Sequence, residues 1–444
     1  MNDFLAARSQ MGVSLGFHIV FACIGMVMPF FMAVSHYKWL RTGNERYKSI
    51  TKAWSKGVAI FFVTGAVSGT MLSFELGLLW PGFMKYAGPI IGMPFSLEGT
   101  AFFIEAIAIG FYLYGWEKLN KWFHWFTSLV IGVSGLASGI LVISANAWMN
   151  SPSGFDYVNG RFLNIDPMKA MFNPAWAVQA LHMLLAAFAA TGFAVAGVHA
   201  WMVYRKKNLD FHWKSFRIAI TFGAVAAILQ PFSGDLAAKA IAKRQPAKLA
   251  AMEALFRTQE KAPLLIGGIP DTKNKTVHYG IELPGMLSFL THGNLTSPVA
   301  GLDQVPPEEQ PPVLPVHFAF QLMIALGVVM LLLGLLYFFA SWRKKFWLKT
   351  GWFLKSYIIA LPTGFLAIEA GWIVTEVGRQ PWIIYKIMRT ADAVTPMPGI
   401  VYTFYLFTAV YVLLSAMVVF LFYRQIRMVP VLYDRSAAND LAIA

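Results

Sequence analysis

Cysteine and charge are both scarce in this sequence. A single cysteine, Cys23, excludes an internal disulfide and any cysteine-based metal cluster. Charged residues make up 13% of the 444 residues, well below the roughly 25% typical of soluble proteins. Hydrophobic residues make up 57% and gather in runs of about 20, long enough to cross a bilayer as helices. Because such runs are too long and continuous for barrel strands, the sequence predicts an all-α polytopic membrane protein.

The hydropathy pattern predicts nine membrane-spanning helices. Their predicted bounds are 13–36, 55–79, 94–115, 122–147, 175–204, 215–233, 316–341, 352–377 and 399–424. Three regions follow from this assignment. We expect helices 1–6 in residues 1–233, a long extracytoplasmic loop in residues 234–315, and helices 7–9 with a cytoplasmic tail in residues 316–444.

The net charge of +14 would suit a nucleic-acid-binding protein, but the distribution of charge argues against a nucleic-acid partner. Basic residues follow the first, third, fifth, seventh and ninth spans, as in YRKKNLDFHWK and SWRKKFWLK. Because these connections alternate, they share one side of the membrane, which the positive-inside rule assigns to the cytoplasm. We therefore expect a protein of the bacterial inner membrane, embedded in the lipid bilayer, with its N-terminus outside and its C-terminus inside.

The connection between the sixth and seventh spans is the only substantial polar segment. Loops of this length in a compact fold are usually functional or disordered. Its first part, DLAAKAIAKRQPAKLAAMEALFRT, has a helical pattern, so we predict a helix over residues 235–258. Its last part, GLDQVPPEEQPPVLP, is rich in proline.

Several ionisable side chains lie at membrane depth, where they are costly and indicate function. His18 lies in the first span, and Glu98 and Glu105, seven residues apart, share one face of the third. His182 and Met323 each lie eight residues after a proline at an outer helix start, so their depths should match. A histidine and a methionine at equal depth suit a six-coordinate, electron-transferring haem.

The eighth span ends in GWIVTEVGRQPW. Glu369, Trp372, Glu376 and Arg379 share one face of this span, and that face ends at the outer surface. A carboxylate at this position is a candidate ligand for a haem iron with an open position.

Each of these residues also has an ordinary structural interpretation. A membrane histidine is more often a hydrogen-bonding partner in helix packing than a ligand, and His199 and His317 look interfacial. Glu376 and Arg379 could form a neutral ion pair, and the two glutamates of the third span could line an ion pathway. Composition and spacing alone therefore leave open both a haem redox enzyme and an ion-coupled transporter.

Six segments in one order resemble a known family, subunit I of the cytochrome bd quinol oxidases. These segments are ARSQMGVSLGFHI, LEGTAFFIE, SANAWMNSPSGF, KLAAMEA, GLDQVPPEEQPPV and GWIVTEVGRQPW. The resemblance spans most of the chain, and GRQPW preceded by tryptophan and glutamate is specific.

The resemblance implies a terminal oxidase that oxidises quinol at the outer face and reduces dioxygen to water. It would generate proton motive force by charge separation, without pumping. The family uses two b haems, one low-spin and one high-spin, and a third haem that is haem d or a haem b in its place. A homologous subunit II and a small single-helix subunit are the implied partners. A haem-bearing membrane anchor that passes quinol electrons to another acceptor is the alternative redox function.

The resemblance also implies the haem ligands. His182 and Met323 match the axial ligands of the low-spin haem b. His18 matches a ligand of one haem of the oxygen-reducing pair, and Glu376 matches a ligand of the other. Which of these two haems is haem d differs among family members.

Other matches concern protons, quinol and haem propionates, and Glu98 matches a position close to the oxygen-reducing haems. The remaining matches are Glu105, Ser138 and Asn146 for proton delivery, Trp372 between haems, Arg8 and Arg379 for propionates, and Lys248 and Glu253 for quinol.

One position departs from the familiar family pattern. Gln321 stands two residues before Met323, where many members have arginine. An uncharged residue near the low-spin haem should lower its reduction potential. Relatives called cyanide-insensitive oxidases, which this chain also resembles, show weak or absent haem d spectra.

Overall fold

A computed structural model describes residues 1–207 and 209–441, with side chains described as far as Gln425. Helices dominate, and the strands form three two-stranded antiparallel sheets within the described part of the chain. In chain order the elements are α1 (Asp3–Thr42), α2 (Glu45–Leu79), α3 (Pro81–Tyr114), α4 (Lys121–Asn150), β1 (Asp156–Val158), β2 (Arg161–Leu163), α5 (Pro167–Met171), α6 (Trp176–Tyr204), α7 (Leu209–Arg244), α8 (Pro246–Met252), β3 (Leu264–Asp271), β4 (Thr276–Leu283), α9 (Met286–His292), α10 (Val313–Trp342), α11 (Gly351–Ile359), α12 (Thr363–Val377), β5 (Trp382–Ile384), β6 (Met388–Arg389), α13 (Thr390–Ala393) and α14 (Ile400–Leu441).

The predicted all-α membrane fold is confirmed. Nine segments of the described chain are long and apolar enough to cross a membrane, and each coincides with one predicted span, with at most one residue of a span outside its segment. The eighth segment consists of α11 and α12, which are separated by a break at residues 360–362. Local capping sets several ends: Asn2, Asn44 and Asn120 each accept a backbone N–H in the first turn of α1, α2 and α4.

The helix predicted over residues 235–258 is only partly present. Residues 235–244 continue α7, which therefore runs eleven residues past its predicted end at 233. Pro246 cannot continue the hydrogen bonding of α7, so a new short helix, α8, begins there. Residues 253–258 leave helical geometry, because their apolar side chains pack into a separate core instead.

The centre of the bundle is formed by α1 and α6, which contact each other and several of the remaining long helices. Glycine allows the closest helix contacts. A Cβ atom on Gly192 of α6 would lie 2.4 Å from the Cα atom of Gly223 on α7. A Cβ atom on Gly364 of α12 would lie 2.2 Å from the Cα atom of Ala190 on α6. These contacts hold α6, which carries His182, close to α7 and to α12, which carries Glu376.

The two ends of the bundle differ in chemistry. At one end, basic side chains from different connections lie over aromatic rings: Lys52 over Trp116 and Lys349 over Trp213 are examples. We call this the basic end. At the opposite end, residues 245–312 fold over α10 and α12 as a compact unit, which we call the loop cap.

The loop cap has its own apolar core, which is continuous with the bundle. Buried residues of α8 and of the segment after it pack against the first turns of α10 and the last turns of α12. The β3–β4 hairpin lies beside this core, with Gly267 opposite Gly280 and an unchanged register past Gly268, whose φ is positive. The segment that the sequence marks as polar is therefore ordered by burial of its own leucine, alanine and phenylalanine side chains.

Candidate functional site

The end of α12 carries a buried ion pair. Arg379 donates from Nη2 to Oε2 of Glu376 at 2.5 Å, and Asn146 donates to Oε1 at 2.6 Å. The guanidinium of Arg379 is almost fully buried, and its Nη1 has no partner among the described residues. The ion pair considered from the sequence is thus present. Each carboxylate oxygen still has a free lone pair, so Glu376 is also able to bind a metal ion.

Hydrogen bonds connect this ion pair to the loop cap. Asn150 donates to Oδ1 of Asn146 at 3.1 Å, and Lys248 donates to Oδ1 of Asn150 at 2.7 Å. Lys248 also donates to the backbone carbonyl of Thr375 at 3.0 Å, immediately before Glu376. The structure therefore brings together three residues that the sequence singled out separately: Lys248, Asn146 and Glu376.

Asn150 and Gln245 were missed by sequence reasoning. Gln245 donates to the backbone carbonyl of Asn150 at 2.8 Å and so joins α4 to the start of the loop cap. Asn150 lies within the WMNSPSG segment, and its polar side chain at the end of an apolar helix was the available signal. Gln245 carries no such signal, because glutamine before proline is common in connections.

Lys248 and Glu253 are both buried in the loop cap. Burial, together with the nearby charge of Arg379, lowers the pKa of Lys248 to about 7, although Glu376 acts in the opposite direction. Burial raises the pKa of Glu253 to about 8, although the backbone N–H of Leu265 favours its ionised form. Near neutral pH, Lys248 can therefore exchange a proton, whereas Glu253 is mostly neutral.

A cleft of about 130 Å³ opens beside Lys248. Its walls come from the start of α8, the proline-rich segment and the GRQPW turn. The polar lining side chains are Lys248, Gln304, Glu309, Arg379, Gln380, Tyr385 and Lys386. Glu253 is not among the lining residues, so the two predicted quinol residues do not face the same cleft.

The histidines of α1 and α6 each have one ring nitrogen paired with a serine. Nδ1 of His18 lies 2.9 Å from Oγ of Ser68, and Nδ1 of His182 lies 3.0 Å from Oγ of Ser233. This pairing leaves Nε2 of His18 free of any hydrogen bond among the described residues. Nε2 of His182 lies 3.2 Å from the amide nitrogen of Gln230. His18, held through Nδ1 and open at Nε2, thus has the usual arrangement of a metal ligand, and His182 would have it once the amide of Gln230 turned away.

Met323 lies on α10 against α12. A Cβ atom on Gly371 would lie 3.1 Å from Sδ of Met323. The equal-depth argument depended on Pro174 and Pro315 as helix starts, and those starts differ. Helix α6 begins two residues after Pro174, whereas α10 begins two residues before Pro315. Proline is tolerated in a first helical turn, so it does not mark the first residue.

The two carboxylates of α3 share one face of the helix, as their spacing predicts. That face lies against α4. Ser138 donates to Oε1 of Glu98 at 2.9 Å. Glu105 is buried, and its Oε1 would lie 3.4 Å from a Cβ atom on Gly135. These three polar groups form a row between α3 and α4, separate from the network of Glu376.

The two histidines that look interfacial from the sequence lie near the ends of their helices, and both are buried within the protein. His199 contacts His212 at 2.9 Å and Trp54 at 3.3 Å. Both ring nitrogens of His317 face backbone carbonyls of the loop cap.

The remaining predicted residues lie apart from the hydrogen-bonded network. Arg8 is half-buried and lies over the ring of Phe4. Trp372 is half-buried, and its Nε1 has no partner in the described residues. A further buried carboxylate, Glu75, was missed; it accepts from Ser14 at 2.7 Å and Gln10 at 3.2 Å.

A family model described as cytochrome bd terminal oxidase subunit I matches residues 6–430. The chain belongs to this family. Membership excludes the ion-coupled transporter as the main function and makes the chain a multi-pass cytochrome subunit that uses haem.

Relatives of this subunit I match over nearly their whole lengths. A Bacillus subtilis (strain 168) protein with the provisional name cytochrome bd menaquinol oxidase subunit I is 35% identical, over 99% of this chain and 100% of the relative. A second Bacillus subtilis protein, cytochrome bd ubiquinol oxidase subunit 1, is 32% identical over 96% of this chain and 94% of the relative. A solved bd oxidase structure from Geobacillus thermodenitrificans has a TM-score of 0.91 and 33% identity, covering 96% of this chain and 98% of that chain.

The residues of this subunit I fit haem groups. Glycine faces several candidate ligands and leaves room beside them: Gly69 lies at His18, Gly234 at His182 and Gly371 at Met323. Buried polar atoms without partners among the described residues include Nη1 of Arg379, which suits a carboxylate. The donor set of histidine, methionine and carboxylate is one that haem iron accepts.

Proposed function

We propose that this chain is the haem-bearing, quinol-oxidising subunit of a terminal oxidase that reduces dioxygen to water. The observation that carries the quinol assignment is the hydrogen-bonded connection from Lys248, at the cleft, to Glu376 inside the bundle. A molecule in the cleft would thereby be linked to a candidate iron ligand. The names of the relatives include both menaquinol and ubiquinol, so the proposal is for quinols as a class.

His182 and Met323 would hold a low-spin haem b. His18 and Glu376 would hold the other two haems, a high-spin haem b and a haem d or third haem b. Bound haems supply one-electron transfer and a position for dioxygen. Among the chain's own groups, Arg379 would bind a propionate through Nη1, and Arg8 and Trp372 would lie close to the haems.

Quinol oxidation releases protons, and the loop cap has groups to receive them. Lys248, with its pKa near 7, can accept a proton from a quinol hydroxyl at the cleft. Glu253, neutral over most of the same pH range, can donate a hydrogen bond. Asn150 accepts a hydrogen bond from the ammonium group of Lys248 and so orients it.

Protons consumed in dioxygen reduction would reach the haems through the row between α3 and α4. Glu105 lies nearer the basic end, and Glu98 and Ser138 lie nearer the loop cap. If the basic end is cytoplasmic, protons are taken from inside and released outside. Charge is then separated across the bacterial inner membrane without a pump.

The exposed helix faces support lipid and subunit partners. Helices α10 and α14 bury only 17% and 11% of their most apolar windows, so most of their surface is free to contact lipid or other chains. We expect a homologous subunit II and a small single-helix subunit.

The test uses the complex purified from haem-replete bacteria. A reduced-minus-oxidised spectrum with haem extraction should show haem in this chain, and added quinol should drive oxygen uptake. Lys248→Met should lower quinol-driven uptake severalfold, whereas Lys386→Met, at an exposed position of the same cleft, is the matched control. A preparation without Soret absorption would refute the proposal. Haem without quinol-driven oxygen uptake would instead support the membrane anchor.

A further inference from the structure

The strand β3 of the loop cap has an edge that its partner β4 does not cover. Leu265 and Gly267 direct their backbone groups away from β4, toward α8 and α10. Exposed strand edges of this kind carry unpaired N–H and C=O groups, which are costly when buried.

Side chains take the place of a third strand along this edge. The amide of Gln321 donates to the carbonyl of Leu265 at 2.9 Å and accepts from the N–H of Gly267 at 3.0 Å. Nε2 of His317, one turn earlier on α10, lies 3.1 Å from the carbonyl of Gly267. The remaining group, the N–H of Leu265, lies near the carboxyl group of Glu253, whose ionised form it favours.

A further contact of α10 lies immediately before Glu253 in the chain. Nδ1 of His317 lies 2.8 Å from the carbonyl of Met252, the residue immediately before Glu253. One imidazole of α10 thus reaches both the backbone before Glu253 and strand β3, so the strand lies beside Glu253. Among the described residues along this strand edge, Gln321 is the one side chain that both donates and accepts a hydrogen bond.

We propose that Gln321 is a positioning residue of the quinol site, which fixes β3 and, through Leu265, the carboxyl group of Glu253. The inference rests on the proposed quinol function of the loop cap. The sequence suggested that residue 321 acts on the reduction potential of the low-spin haem. In the structure the amide of Gln321 instead bonds the edge of β3. An arginine has no acceptor and could not pair with the N–H of Gly267.

The test compares Gln321→Met, which has similar length and no strong hydrogen bonds, with wild type. Loss of two neutral hydrogen bonds should speed amide exchange in β3 by about tenfold, equivalent to about 1.4 kcal/mol. The KM for quinol should rise severalfold, while kcat and the dithionite-reduced low-spin haem signal stay close to wild type. Gln321→Asn keeps both amide groups on a shorter side chain and should recover part of both effects.

Leu322→Ala, at an adjacent exposed position of α10, is the matched control and should change neither exchange nor KM. Unchanged exchange and KM in Gln321→Met would overturn the proposal, as would loss of the low-spin haem signal with KM retained. If Gln321→Met does not fold, the exchange and KM of Gln321→Asn decide. If wild type oxidises no quinol, the proposed function fails, and exchange in β3 still decides whether Gln321 fixes the strand.

Discussion

At the scale of single residues, what distinguishes a candidate ligand from a packing residue is the space and the partners around it. His18 and His182 are held by serines through Nδ1, and Gly69 and Gly234 leave room beside them. His199, in contrast, pairs with a second histidine, His212, and with the indole of Trp54. Nε2 of His182 lies near a side-chain amide, that of Gln230. The sequence names all three as membrane histidines; the neighbours separate them.

The methionine assignment can be tested on α10 itself. Met323→Leu removes the thioether at nearly constant volume, so the low-spin haem signal should disappear or shift while the fold is retained. Met330→Leu, at a buried position two turns further along α10, is the matched control and should leave the spectrum unchanged. An unaltered low-spin spectrum in Met323→Leu would contradict the assignment.

Glu253 should make stability depend on pH. Its pKa is raised from 4.5 to about 8, so between these values the folded state binds more protons than the unfolded state. Stability therefore falls as pH rises through this window. Glu253→Gln removes the effect and should be more stable than wild type by up to about 3 kcal/mol at pH 7.

Chemical denaturation in detergent from pH 4.5 to 8 measures this difference. The advantage of Glu253→Gln should grow with pH and vanish at the acidic end, which serves as the internal control. A difference that is the same at every pH would show that burial does not perturb this carboxyl group.

At the scale of elements, close helix packing places α12 relative to α6. Glu376 is on α12 and His182 is on α6, and their separation is set where Gly364 meets Ala190. The break at residues 360–362 lets α12 take its own direction, independent of α11. This arrangement could not be predicted from hydropathy, which describes residues 352–377 as one span.

Gly364→Ala should push the two helices apart. The new Cβ atom would lie 2.2 Å from Cα of Ala190, so the backbone must move, at a cost of about 1–3 kcal/mol. Thermal unfolding in detergent should show this loss, together with an altered haem spectrum. Gly110→Ala is the control, because no atom lies within 4 Å of its Cβ position and alanine favours the helix. Equal melting temperatures for both variants would contradict the packing argument.

At the scale of the whole molecule, the bundle has two chemically different ends. Lysines and arginines from separate connections meet aromatic rings at the basic end, whereas the loop cap closes the other end with an apolar core. The positive-inside rule assigns the basic end to the cytoplasm. The orientation of the proposed charge separation depends on this assignment.

Cysteine labelling tests the orientation with little background, because the native Cys23 is buried. A cysteine at Lys273, in the β3–β4 turn, should react with a membrane-impermeant maleimide in spheroplasts. A cysteine at Lys345, at the basic end, should react only after permeabilisation. The reverse pattern would place quinol oxidation on the cytoplasmic side.

The sequence by itself determined the class of protein, its nine spans, their alternating polarity and the residue types suited to haem. These properties are local, because apolar length, flanking charge and motif spacing are each read within one segment. The family motifs add predictions for individual residues such as His18 and Glu376.

Only the tertiary structure decided which side chains meet. Lys248 and Asn150 are 98 residues apart in sequence, and Gln321 and Leu265 are 56 apart, yet both pairs are hydrogen-bonded. Hydrogen-bond partners of this kind leave no periodic pattern in either segment. The roles of Asn150, Gln245 and Gln321 therefore emerged only when the loop cap was folded against the bundle.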